Sequence, residues 1–274
     1  MAPTRLVLQQ SLRYDYPSPV RSLHHQLMVL PPARHGDQLR IASSLEVKGA
    51  AAQVLESVDP FGNLTVDVHA ARVQRFVEFV VRVTVERQGT PPAAVDDLAG
   101  LLDPTRLTEP DDSLAATARR LLAGGDEGWA LADRVNAWVA ATMRYRHDVT
   151  DVGTTASEAL AVGHGVCQDY AHVMLALCRL CGLPARYVSG HLVGEGGSHA
   201  WVEVVLPSTE DVAPVAVAFD PTNDRRAGPS YLTVAVGRDY ADVAPTHGTY
   251  SGAPGGRLSS TKSLEQEMVA LVPA

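Results

Sequence analysis

Disulfides, membrane spans, basic patches and ligand clusters are all scarce in this chain, and each scarcity narrows what it can be. Its 274 residues hold three cysteines, Cys167, Cys178 and Cys181. Three cannot all pair, and so few suit a reducing compartment better than a secreted disulfide scaffold. The longest candidate apolar run, Val212 to Phe219, falls far short of the roughly 20 residues that cross a bilayer. Met1 to Gln10 holds no apolar run of the signal-peptide kind. A soluble, cytoplasmic protein is the expectation. Acidic and basic residues are interspersed, with a net charge of −8, so nucleic acid and anionic membrane are not expected partners.

Ligand-binding signatures are equally thin. Cys178 and Cys181 with His164, His172 or His191 lack the second closely spaced ligand pair of a zinc site, and His24-His25 reads as a strand detail. Gly194-Glu-Gly-Gly197 lacks the Lys-Ser/Thr and the preceding strand of a phosphate loop, and reads as a flexible loop. No cofactor and no metal are expected, and no repeat or low-complexity tract is visible.

What is present is ample core material, 46% hydrophobic residues, enough for one or two domains. Residues 1–88 read as a small antiparallel β domain. Its runs include Val20 to Leu30, Leu39 to Val47, and Phe76 to Val85, rich in β-branched and aromatic residues. Asp59-Pro-Phe-Gly-Asn63 lies between two such runs as a hairpin connection. Residues 89–112, with Pro91, Pro92, Pro104 and Pro110, read as a linker or crossing segment.

Residues 113–274 read as helices followed by a mostly antiparallel sheet, so the whole is α+β. Asp112-Ser113 offers a cap for a helix over Leu114 to Leu122. Leu131, Val135, Trp138, Val139 and Met143 form a 3.6-period stripe. Thr155-Ala-Ser-Glu158 has the form of a capping box. A further helix opens at Cys167 and ends at Cys181-Gly182, with Pro184 preventing its resumption. Strand-like segments follow at Ala185 to Val193, His199 to Leu206, Val212 to Phe219, and Tyr231 to Val236.

Cys167 starts its helix, where free N–H groups and a partial positive charge favour thiolate over thiol. Cys178 and Cys181 lie within and at the end of that helix and read as inert packing groups. His199 begins one strand and Asp220 ends another. On adjacent antiparallel strands the two become neighbours at one edge, and the preceding helix can bring Cys167 there. Nucleophile, base and orienter are then assembled for covalent acyl transfer, with the Cys167 N–H as an oxyanion donor. With ten histidines and thirty-one acids, spacing alone permits many such trios. Asp169 suits a helix-dipole partner in the first turn.

The combined wording is far more specific. Gly-Val-Cys-Gln-Asp-Tyr-Ala-His (165–172), Gly-Leu-Pro-Ala-Arg-Tyr-Val-Ser-Gly-His (182–191), Ser-His-Ala-Trp-Val-Glu (198–203) and Phe-Asp-Pro-Thr-Asn (219–223) resemble the bacterial transglutaminase-like family. Residues 1–88, with Asp59-Pro-Phe-Gly-Asn63, resemble the β domain that commonly precedes it. The resemblance implies a papain-like cysteine core and a catalytic triad of Cys167, His199 and Asp220. It implies cleavage or exchange of an amide bond in a peptide or protein substrate through a thioester on Cys167. Hydrolysis is favoured, because no device for excluding water is visible. Transamidation and a non-catalytic binding module remain open alternatives. One departure stands out: Ala213-Pro-Val-Ala-Val-Ala-Phe219 lacks the Gly-Trp often found before Asp-Pro-Thr-Asn. No tryptophan or glutamine can be matched to a second oxyanion donor.

Overall fold

Period-two burial builds the first half of the chain. A computed structural model describes residues 4–89, 98–208 and 213–268. Strand β1 (Thr4–Asp15) buries Leu6, Leu8 and Leu12, and β2 (Val20–Leu27) buries Leu23, His25 and Leu27. After β3 (Arg34–His35), β4 (Gln38–Lys48) and β5 (Gln53–Val58) come β6 (Leu64–Val73) and β7 (Phe76–Arg87). Strand β6 buries Val66, Val68 and Ala70; β7 buries Val77, Phe79, Val81, Val83 and Val85. Side chains that alternate across a pleat put these apolar sets on inner faces, where they share one core.

The second half opens with α1 (Asp112–Leu122), α2 (Gly128–Thr142), β8 (Arg144–Tyr145), α3 (Ala156–Val162), β9 (His164–Gly165) and α4 (Cys167–Leu180). Then follow β10 (Ala185–Leu192), β11 (His199–Leu206), β12 (Val215–Asp220), β13 (Arg225–Arg226) and β14 (Tyr231–Gly237). These five strands form an antiparallel sheet ordered β13-β12-β11-β10-β14. Helix α4 is buried from Gln168 through Arg179. It packs on β10 and β11 and against α1, α2 and α3. Asp111 rather than Asp112 caps α1, its Oδ1 accepting from Leu114 N at 2.8 Å. The capping box of α3 forms as read, with Thr155 and Glu158 satisfying each other's N–H groups.

Of the crossing segment read at 89–112, residues 90–97 lie outside the described residues, as does Val212 of the strand read over 212–219. The rest of the crossing segment is tied down by Arg179 of α4. This buried guanidinium donates to Leu101 O, Thr108 Oγ1, Ala185 O and Arg238 O. Burial pulls its pKa down to about 10, leaving it charged and worth these bonds.

The chain's last strands return to its beginning. After a 3₁₀ turn at Tyr240–Asp242, β15 (Thr246–Ser251) pairs with β2, and β16 (Arg257–Met268) pairs with β1 along twelve residues. The N-terminal sheets therefore run β16-β1-β7-β4-β3 and β15-β2-β6-β5. Residues 246–268 belong structurally to the β domain.

That domain also backs the five-stranded sheet of β10 to β14. Asn63, 1% exposed, donates to Val236 O at 2.7 Å and accepts from Val236 N at 2.8 Å. Gln38 makes the same two-bond clasp with Thr233. His35 meets Glu203 at 2.7 Å, and Phe61 packs on the cluster of Val188, Trp201 and Tyr231. Two side-chain amides thus stand in for strand pairing where β14 would otherwise leave buried backbone groups without partners.

Candidate active site

Two short strands lead into the candidate nucleophile. Parallel pairing of β8 with β9 fixes Gly165, and Cys167 follows as the first residue of α4, half-buried and free. Gly165 has no room for a side chain, since a Cβ there would lie 2.4 Å from Asp169 Oδ2. That close approach lets Asp169 accept from Val166 N at 2.7 Å and from Thr150 Oγ1 at 2.7 Å. Asp169 thus serves in the first turn, as the sequence suggests, and orders the N-terminus that carries the thiol. Burial raises its pKa, and the Thr150 and Val166 donors oppose that rise.

Strands β11 and β12 are adjacent and antiparallel, and they bring His199 and Asp220 together. His199 Nε2 lies 2.8 Å from Asp220 Oδ2, with both side chains buried. Asp220 is reached by more than the histidine. Its Oδ2 also accepts from Tyr231 Oη at 2.6 Å and Asn223 Nδ2 at 2.8 Å, and Oδ1 accepts from the N–H groups of Thr222 and Asn223. Burial works to protonate this carboxyl, but the His199 bond leads a set of donors that lowers its pKa overall. Tyr231 is held as the neutral donor by burial and by the Asp220 charge, both raising its pKa.

Cys167 lies near enough to His199 for its charge and hydrogen bonding to act on the imidazole. Burial alone would strip the imidazole of its proton. Its bonds to Asp220 and Cys167, and their charges, overcome this and push the His199 pKa up to about 10. An imidazolium at neutral pH, oriented by a carboxylate and close to a thiol, can pair with a thiolate and later protonate a leaving amine. All three residues singled out in the sequence converge here.

Two groups at the site carry no sequence signal. Tyr231 belongs to an ordinary strand pattern, and its reach to Asp220 is a tertiary fact. Glu195 sits in the glycine-rich loop, yet its Oε2 lies 3.1 Å from His199 Nδ1 as an ion pair. The loop is fixed by Lys262 Nζ, which donates to Gly197 O at 2.5 Å.

The other cysteines stand apart from this chemistry. Cys178 is fully buried and burial raises its pKa; burial raises that of Cys181 too. His172 is buried against Tyr187 and accepts from Tyr240 N at 3.3 Å. It anchors the turn after β14. His191 is buried beside the Gly194–Ser198 loop, at a 260 Å³ cavity shared with Lys262 and Tyr14.

Among the described residues, one set of side chains offers metal-ligand spacing. His24, Asp67 and His69 hold ligand atoms within 4.8 Å of one another, on paired strands β2 and β6 outside the sheet that carries His199 and Asp220.

Against known proteins, residues 6–86 match the bacterial transglutaminase-like N-terminal region, and residues 115–212 match the transglutaminase-like superfamily. An uncharacterised protein of Mycobacterium leprae is 36% identical over 170 residues, which is 58% of each chain. One from Mycobacterium tuberculosis is 38% identical over 115 residues, or 38% of this chain and 36% of its own. The match thus spans 58% of the first relative's length and about a third of the second's. The solved structure of a candidate cysteine protease from Cytophaga hutchinsonii aligns over 100% of this chain and 93% of its own. Its TM-score is 0.79 at 21% identity, a likeness of fold. A transglutaminase-like, cysteine-protease-like core behind the matching N-terminal region places the chain in the bacterial transglutaminase-like family.

Proposed function

We propose that the protein cleaves or exchanges amide bonds in a peptide or protein substrate through a thioester on Cys167. The observation that carries this is the buried imidazole, with Asp220 at 2.8 Å on Nε2 and Cys167 near enough to raise its pKa. Cys167 attacks the carbonyl carbon, its N–H at the start of α4 offering one oxyanion donor. His199 protonates the departing nitrogen, and Asp220 holds the ring and stabilises its charge. Water then releases the acyl group, making hydrolysis the leading outcome.

The experiment compares wild type, Cys167→Ala and His199→Ala. At neutral pH, iodoacetamide should modify Cys167 in the wild type, leave Cys178 untouched, and react at least tenfold more slowly at Cys167 in His199→Ala. Turnover of a peptide library should vanish in Cys167→Ala without loss of thermal stability. Equal labelling rates with and without His199, or activity surviving Cys167→Ala, would refute the assignment.

A further inference from the structure

The pleat sends two adjacent histidines of β2 to opposite faces. His25 turns inward and is buried against the rings of Tyr14 and Phe79, whereas the His24 side chain stands outward and is 42% exposed. Side chains directly opposite on paired strands share a face, and so do those two apart on one strand. The register sets His24 opposite His69, and Asp67 lies two residues before His69 on β6. All three therefore stand on the outer face of the β15-β2-β6-β5 sheet.

These side chains already meet. The rings of His24 and His69 stack at 4.3 Å, 2° from parallel, and His24 Nε2 lies 2.8 Å from Asp67 Oδ1. One ligand atom from each residue lies within 4.8 Å of the others. A zinc ion bound tetrahedrally at 2.0–2.2 Å from each donor needs about 3.3–3.6 Å between donors. Rotation about χ2, a broad torsion for histidine, can bring the two rings to that spacing. Both rings lie on the solvent face, so the turn disturbs no core packing. The His24–Asp67 contact by itself is an ordinary surface pair. The second imidazole sets this place apart, because strand pairing delivers a third donor to the same point.

Two imidazoles and one carboxylate suit zinc, nickel or copper; magnesium and calcium take oxygen ligands. We propose that His24, His69 and Asp67 form a surface site for a divalent ion of the zinc class, which clips β2 to β6 and keeps water in its remaining positions. This site is independent of the thioester chemistry, since none of its residues belongs to the sheet of His199 and Asp220.

The test must keep the site apart from the thiols, because Cys167 near His199 can itself take zinc. Full-length Cys167→Ala is therefore the parent, compared with the same chain carrying His69→Ala, Asp67→Asn or His247→Gln. His247 of β15 pairs with Gln26, two residues from His24, and is exposed on the same face outside the ligand set. Calorimetric titration with Zn2+ should give one ion per parent chain. Losing a group that merely holds a ligand in place costs about 10–100-fold in affinity, so His69→Ala and Asp67→Asn should each bind at least tenfold more weakly. His247→Gln should stay within about threefold. Zn2+ should raise the thermal midpoint of the parent and leave that of His69→Ala unmoved. With Co2+, the parent should show no thiolate-to-cobalt charge-transfer band. No Zn2+ bound by the parent, undiminished affinity or an unchanged midpoint rise in His69→Ala, an equal loss in His247→Gln, or a thiolate band would each overturn the site.

Discussion

Five donors reach the Asp220 carboxylate, and only one of them is His199. The shortest is the Tyr231 hydroxyl at 2.6 Å, which in turn accepts from Arg225 Nε. A hydrogen bond to a buried charge is worth about 1.5–3 kcal/mol, and its loss leaves Asp220 a poorer stabilised anion. Two effects compete in Tyr231→Phe. A less satisfied Asp220 attracts the imidazolium more strongly, but the ring loses a neighbour that fixes the carboxylate's direction. Positioning dominates for a proton relay that must hold its geometry. We expect kcat/KM to fall about tenfold, the equivalent of about 1.4 kcal/mol. A second expectation follows from the raised His199 pKa. Activity that depends on the imidazolium should decline as pH rises through about 10, which a pH profile of kcat/KM reads directly. Cys167, His199 and Asp220 were legible because motif wording marks them. Tyr231 and Glu195 were not, because a strand tyrosine and a loop glutamate gain their meaning only from side chains distant in sequence.

At the scale of elements, the turn at Asp59–Asn63 shows what local pattern reveals and what it hides. Its turn character is plain in the sequence: Asp59 Oδ1 accepts from Phe61 N and Asn63 N. The use of Asn63 as a clasp on β14, 173 residues away, is not. Asn63→Ala leaves the buried N–H and C=O of Val236 without partners, at about 1–3 kcal/mol each. For a chain of this size that corresponds to a thermal midpoint lower by about 5–15 °C, measurable by differential scanning calorimetry. A loss below about 1 kcal/mol would mean that the clasp contributes little to docking. Helix boundaries were read well because caps and periodicity are local signals. Strands β15 and β16 passed unread for a physical reason. Both are largely exposed edge strands, β16 buries no alternating apolar row, and a strand without a buried face has no period to detect.

For the molecule as a whole, buried histidines set the acid limit of stability. Burial pulls His25 and His172 down to about 4 and His191 to about 3, so all three are neutral in the fold. The unfolded chain binds their protons near pH 6.5, and the folded chain does so only near 3 to 4. Stability is therefore fully present above 6.5 and is lost as pH falls from there towards 4. The slope is about 1.4 kcal/mol per pH unit for each histidine in that window. His199 has the opposite sign: its raised pKa contributes stability that is full below 6.5 and fades as pH rises through about 10. Urea midpoints should thus drop steeply between pH 6.5 and 4.5, and His172→Gln should flatten the drop if it folds. A midpoint that holds level to pH 4.5 would show that these rings are not buried neutral.

The return of β15 and β16 to the first sheets also sets an order of events during synthesis. Strand β1 sits between β7 and β16, so one of its two edges stays open until residues 257–268 have left the ribosome. An open, regular edge is a template for pairing with another chain, and here it persists until β16 has been made. The serine-rich partner that covers it is β16. The nascent chain thus carries this open edge while α1 to α4 are emerging.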